Sequence, residues 1–203
     1  MHERDVFINC AFSADYQSFF EAIVFTIGRS GFAPRCALES DDGGEIRFDK
    51  ICKIIGDCPY GIHDISKTEL DAKSQLPRFN MPLELGLFLG ARKFGGKKHS
   101  RKKVLILDSD AHRYQIFMSD IAGQDIHSHD REVARLIERV AAWLRREAHE
   151  PGVPGGVAIA GEFTRFQSDL ATIAASKRLE RQELTFTDLK EIAAEWIVSA
   201  NQD

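Results

Sequence analysis

The sequence predicts an α/β fold: a five-stranded, mainly parallel sheet in the order 2-1-3-4-5, with helices on both faces and a helical hairpin after it. Three observations predict this. Compact apolar runs alternate with segments whose apolar residues recur at helical spacing. A Pro/Gly-rich break is followed by two more amphipathic segments and no further strand. At 203 residues, 43% hydrophobic and 29% charged, the chain is ordinary globular material with enough length for a substantial core.

Residues 5–12, "DVFINCAF", form an apolar run ending at Ser13, a strand followed by a helix cap. Over 14–29, Phe19, Phe20, Ile23, Val24 and Ile27 share one helical face. "GFAPRCAL" (31–38) is the second strand, and Pro34 sends it to a sheet edge. The polar loop "ESDDGGE" precedes a short helix carrying Ile46, Cys52, Ile54 and Ile55. "YGIHDIS" (60–66) and "KKVLILDS" (102–109) are the third and fourth strands, separated by a loop at 67–79 and a helix. A helix near 111–121, a short strand near "QDIHSH" and a helix over 130–148 complete a flavodoxin-like pattern. Such sheets bind ligands beyond the carboxyl ends of their strands, here near Asn9 to Ser13, Leu38 to Asp41, Asp64 to Ser66 and Asp108.

The expected organisation is an α/β domain over 1–149, a linker over 150–160 and a hairpin over 161–203. Phe163, Phe166, Leu170 and Ile173 mark the first hairpin helix. Leu189, Ile192, Ala193, Trp196 and Ile197 mark the second, with Thr187 as its cap. A hairpin this short needs the main domain or another subunit to cover its apolar faces.

The net charge of -4 gives no global field for nucleic acid or an acidic membrane. "MHERDVFINC" lacks the basic and apolar regions of a signal peptide, so a cytoplasmic protein without a membrane partner is expected. Cys10, Cys36, Cys52 and Cys58 form no CxxC and read as reduced thiols. His127 and His129 have no supporting ligands, so no metal site is expected; His63 reads as a structural histidine. No phosphate-binding glycine motif is present. "RKFGGKKHSRKK" (92–103) carries seven Lys/Arg and no acid, either a solvated loop or an attractor of phosphate.

From Met81 to Ala91, in "RFNMPLELGLFLGA", the sole charged residue is Glu84. Asn80 is a good N-cap and Pro82 suits a first turn. Glu84 is then one position too far for a capping box. It is either a favourable charge near a helix start or a functional carboxylate in an apolar wall.

The segment "GIHDISKTELD…LPRFNMPLELGLFLGARKFG…KKVLIL" resembles TIR-like (Toll/interleukin-1 receptor-like) nucleotide-binding proteins and nucleoside 2-deoxyribosyltransferases. The shared pattern is a strand ending in Asp64, a helix opening with Asn80 and Glu84-x-Gly86, then a basic turn at Lys93 before the strand Val104 to Leu107. "DVFINCAFSADY" resembles the first strand and loop of these families, and the likeness runs from residue 5 to about 145. It implies that Glu84 stands beside the anomeric carbon of a ribose. It further implies an enzyme cleaving the nicotinamide–ribose bond of NAD, with NAD as substrate and no other cofactor. The context implied is bacterial antiviral defence, with a homo-oligomer or a separate effector protein as partner. A deoxyribosyltransferase-like enzyme or nucleosidase, and a non-catalytic nucleotide-binding or assembly module, are the alternatives. Asp64 is the second catalytic candidate, as an acid or as an acceptor for a ribose hydroxyl; otherwise it caps the following loop. Asn9, Phe12, Ser13, Arg47, Ser66 and Asn80 are the candidate substrate-binding residues. Ser13 serves equally as a plain helix cap, and Arg47 as a solvated arginine.

Overall fold

The computed structural model describes residues 3–70 and 75–201. Strands β1 (Asp5–Asn9), β2 (Ala33–Arg35), β3 (Tyr60–Asp64), β4 (Lys103–Asp108) and β5 (Ile126–Ser128) form one sheet in the order β2-β1-β3-β4-β5. Every pairing is parallel. The fold class and strand order are those the sequence predicts. Pro34 lies in the edge strand β2, which is three residues long rather than eight.

Alternation along β1 divides the core. Val6 and Ile8 face a cluster built with α1 (Gln17–Arg29) and α4 (Val133–Glu147), while Phe7 faces Ile51, Ile54, Ile55 and Phe88 on the other side. Those residues belong to α2 (Arg47–Asp57) and α3 (Asn80–Phe94). The hairpin helices α5 (Gly156–Ser176) and α6 (Phe186–Ala200) continue the first cluster outside α1. Phe25 stacks on Phe166 at 4.9 Å between ring centroids and meets Trp196 edge-on at 5.6 Å. Phe166 is fully buried, whereas Trp196 is half-buried and donates its indole N–H to Asp169 at 2.8 Å.

Several expectations change. Residues expected as a helix near 111–121 form two short 3-10 turns, Arg113–Ile116 and Ser119–Ile121. Their apolar spacing still serves packing, since Tyr114, Met118 and Ile121 join Ile65, Leu85 and Ile106. The regular helix is lost because Arg113 reaches back to Asp108, Thr68 and the carbonyls of Ile65 and Ser66. Thr185, not Thr187, caps α6, in a reciprocal box with Asp188. Helix α5 begins at Gly156, inside the expected linker. The basic loop is only partly solvated: Lys102 is buried, donates to the carbonyls of Ile55 and Cys58 at the end of α2, and lies over the Phe88 ring. Among the described residues, no helix is long and apolar enough to cross a membrane.

Candidate functional site

A cleft of about 510 Å³ opens beyond the carboxyl ends of β1 and β3, where the strand order reverses. The β1–α1 loop (Cys10, Phe12, Ser13, Asp15), the first residue of α2 (Arg47) and the first turns of α3 (Asn80, Met81, Glu84) line it. Lys67, Glu69, Leu70 and Arg78 close the remaining side.

Glu84 is half-buried in this wall and forms no hydrogen bond or ion pair among the described residues. Burial pushes its carboxyl up to about 7, against the opposing pull of the Arg47 guanidinium. The helix that carries it starts one residue earlier than expected. Phe79 is the N-cap, without a side-chain cap bond, and Asn80 is the first helical residue. Asn80 is thereby released from capping and its side chain lines the cleft.

Asn9 positions this turn from below rather than lining the cleft. It is 2% exposed, and its amide faces the Met81 carbonyl at 2.8 Å and His63 Nδ1 at 2.9 Å. One buried side chain thus ties β1 and β3 to the first turn of α3. His63 is fully buried, packed edge-on against Phe88, and burial pushes it down to about 3, so it is neutral there.

The structure does not bring Asp64 or Ser66 into the cleft. Asp64 is 1% exposed; its carboxylate accepts from Tyr16 Oη at 2.6 Å and from the Ser66 backbone N–H at 2.8 Å. His129 Nε2 lies 3.1 Å from the same carboxylate. The Arg131 backbone N–H donates to His129 Nδ1 at 3.2 Å, while Nε2 is buried beside Asp64 without completing a hydrogen bond among the described residues. Burial acts to raise the Asp64 carboxyl, but the adjacent His129 and the bonds from Ser66 and Tyr16 outweigh it and hold its pKa below the ordinary value. A carboxyl so held is a poor proton donor. Asp108 is likewise committed, to Arg113 at 2.6 Å.

Of the expected substrate-binding residues, Phe12, Ser13, Arg47 and Asn80 meet Glu84 in the cleft. Ser13 donates to Asp15 at 2.5 Å and makes no helix-capping bond. Leu38, Ser40 and Asp41 line a neighbouring cavity instead. Sequence reasoning missed Lys67 and Arg78, which join Arg47 as cations on the walls, with Lys67 paired to Asp15. It also missed Tyr16 and His129. The available signal was that "IHSH" closes the last strand at the same carboxyl end of the sheet as Asp64. Cys10 lines the cleft, yet burial first and the neighbouring carboxylates second push its thiol well up, which removes it as a nucleophile. Compared with protein-family models and with curated proteins, the chain matches none.

Proposed function

We propose that this chain is a TIR-like N-glycosidase that breaks the nicotinamide–ribose bond of NAD, passing the ADP-ribose to water, to itself in cyclisation, or to another acceptor. The observation that carries this reading is Glu84: a half-buried carboxylate with no hydrogen bond or ion pair among the described residues, in a cleft also lined by Arg47, Lys67 and Arg78. In the reaction the C1′–N bond breaks and its electron pair returns to the pyridinium nitrogen, so nicotinamide leaves neutral. Positive charge develops on the ribose, where a fixed anion in a partly dry site stabilises it or attacks it. Water then adds at C1′ and releases one proton. The cations suit the pyrophosphate.

A purine-releasing nucleosidase or deoxyribosyltransferase could use the same Glu84 but benefits from a proton donor at the base. Asp64 is buried away from the cleft and held ionised, and Asp15 is exposed and held low by Lys67 and Ser13. Neither of these two carboxyls is placed and poised to protonate a departing base. A non-catalytic nucleotide-binding module would keep the cations but gains nothing from a desolvated carboxylate.

Incubating the purified protein with NAD, and separately with deoxynucleosides, tests the reading by chromatography of the released bases. Nicotinamide release from NAD is expected. Base release from deoxynucleosides with NAD left intact would overturn the assignment.

A further inference from the structure

A second cavity, of about 390 Å³, lies between the body of the fold and the C-terminal hairpin. Its walls come from the β2–α2 loop (Leu38, Ser40, Asp41), from α1 (Gln17, Phe20) and from the start of α6 (Leu184, Phe186, Leu189). Arg47 belongs to its lining and equally to that of the Glu84 cleft. No hydrogen bond or ion pair engages Arg47 among the described residues, so its guanidinium is available to an anion on either side. Lys50, in contrast, is committed to the Ser40 carbonyl at 2.6 Å and to Glu45.

Glu21, which also lines this cavity, is likewise committed, accepting from Gln17, Gln167 and Arg181, so Asp41, Arg47 and an apolar side are what the cavity offers a ligand. Leu38, 40% exposed, forms the apolar side of the cavity with Leu184 and Leu189. The Asp41 carboxylate and the Gln17 amide oxygen supply acceptors around the cavity for the exocyclic N–H groups of a base, while the Gln17 N–H and the Ser40 hydroxyl are given to Glu21 and Glu45. A ligand with one reactive end at Glu84, a phosphate at Arg47 and a base against the apolar side has the form of a dinucleotide.

We propose that the hairpin-walled cavity is a subsite for the adenosine half of a dinucleotide substrate, with Arg47 holding the phosphates between the two cavities. The proposal rests on the NAD-cleaving reading of the Glu84 cleft and deepens it. It gives the C-terminal hairpin a part in substrate choice: the enzyme prefers the dinucleotide over a mononucleotide carrying the same scissile bond. Binding energy gathered far from C1′ is available to the reacting end.

Two measurements test it, arranged so that the subsite and the reaction fail separately. The first compares kcat/KM for NAD and for nicotinamide mononucleotide in wild type, Leu38→Ser and Leu184→Ser. Wild type should prefer NAD by about tenfold or more, and each variant should shrink that preference by about threefold or more. Leu38 and Leu184 are partly exposed, so both variants should fold, which melting curves check. The second is calorimetric titration with adenosine 5′-monophosphate, which needs no turnover. Wild type should bind it, and both Leu38→Ser and Arg47→Ala should weaken binding severalfold. If NAD is not cleaved but this binding pattern holds, the subsite stands and the reaction assignment falls. If NAD is cleaved while the preference is unchanged in both variants, the subsite is wrong. It is equally wrong if the monophosphate fails to bind, or binds all three proteins alike.

Discussion

At about pH 8 the Glu84 carboxylate is ionised in a wall that disfavours its charge, so neutralising it should relieve the fold while removing the catalyst. The group titrates near 7 when folded and near 4.5 when unfolded. The folded chain therefore binds the extra proton between those values, and this contribution to stability is lost as pH rises through that window. Glu84→Gln lacks it. Thermal unfolding should show the variant gaining on the order of 1 kcal/mol over wild type above pH 7, discounted for partial exposure, with no gain in acid. Turnover of NAD should fall by about a hundredfold or more, and wild-type kcat/KM should rise with pH through an acid limb near 7. A flat pH profile together with undiminished turnover in Glu84→Gln would remove the residue from the chemistry. Asp64 carries the opposite sign. Its folded pKa is lowered, so its contribution is present above the ordinary carboxylate range and lost as pH falls through the depressed value. Asp64→Asn should cost about 1–3 kcal/mol near neutral pH, because Tyr16 and the Ser66 backbone N–H each donate to a different carboxylate oxygen, His129 lies beside them, and an amide offers one acceptor oxygen. Melting curves at neutral and acid pH should show the gap closing in acid. Glu84 was legible in the sequence because a lone charge in an apolar helix stands out locally. The embedding of Asp64 was not, since its partners come from α1's leading turn and the end of β5, far apart in the chain.

Parallel strands were the most legible elements, because burial on both faces makes them apolar runs whatever their neighbours are. Segments held by a single long-range side chain were least legible. Arg113 turns the expected 111–121 helix into two short turns by bonding to the ends of β3 and β4, and no local pattern announces that. The start of α5 was misplaced for a related reason: two prolines and two glycines precede it and its own first residue is a third glycine, yet that last glycine is needed for close packing. A Cβ on Gly156 would stand 2.4 Å from the Glu138 Cα of α4, a contact that backbone cannot yield. Gly161, in the same helix, faces open space. Alanine should therefore act with opposite sign at the two positions. Gly156→Ala should destabilise by about 1–3 kcal/mol through overpacking, and Gly161→Ala should stabilise by up to about 1 kcal/mol through helix propensity. Denaturant midpoints of the two variants decide it; losses of equal size at both positions would show that the α4–α5 contact does not set the cost.

The molecule is layered around α1, whose residues Phe20 through Ile27 are buried without interruption. An amphipathic surface helix exposes every third or fourth residue, so a helix buried all round needs a cover on its outer side as well. The sequence carried that signal in "FFEAIVFTI", where Ala22 and Phe25 fall off the one apolar face formed by Phe20, Ile23, Val24 and Ile27. The cover is the hairpin. Phe25 packs against Phe163, Phe166 and Trp196, Arg29 forms two bonds to Glu162, and buried Glu21 accepts from Gln167 and Arg181. Removing residues 156–203 would strand the Glu21 carboxylate without those two donors and return the Phe25 ring to water. Such a surface exceeds what a soluble monomer tolerates, so the truncated chain should melt at lower temperature and self-associate in size-exclusion chromatography. Phe25→Ala in the full chain separates the terms, since it leaves the hairpin in place but opens a cavity beneath it, at about 3–5 kcal/mol. A truncated chain that stays monomeric and melts where the full chain does would show that α1 needs no outer layer. Phe25→Ala at wild-type stability would show that the ring packing between body and hairpin contributes nothing.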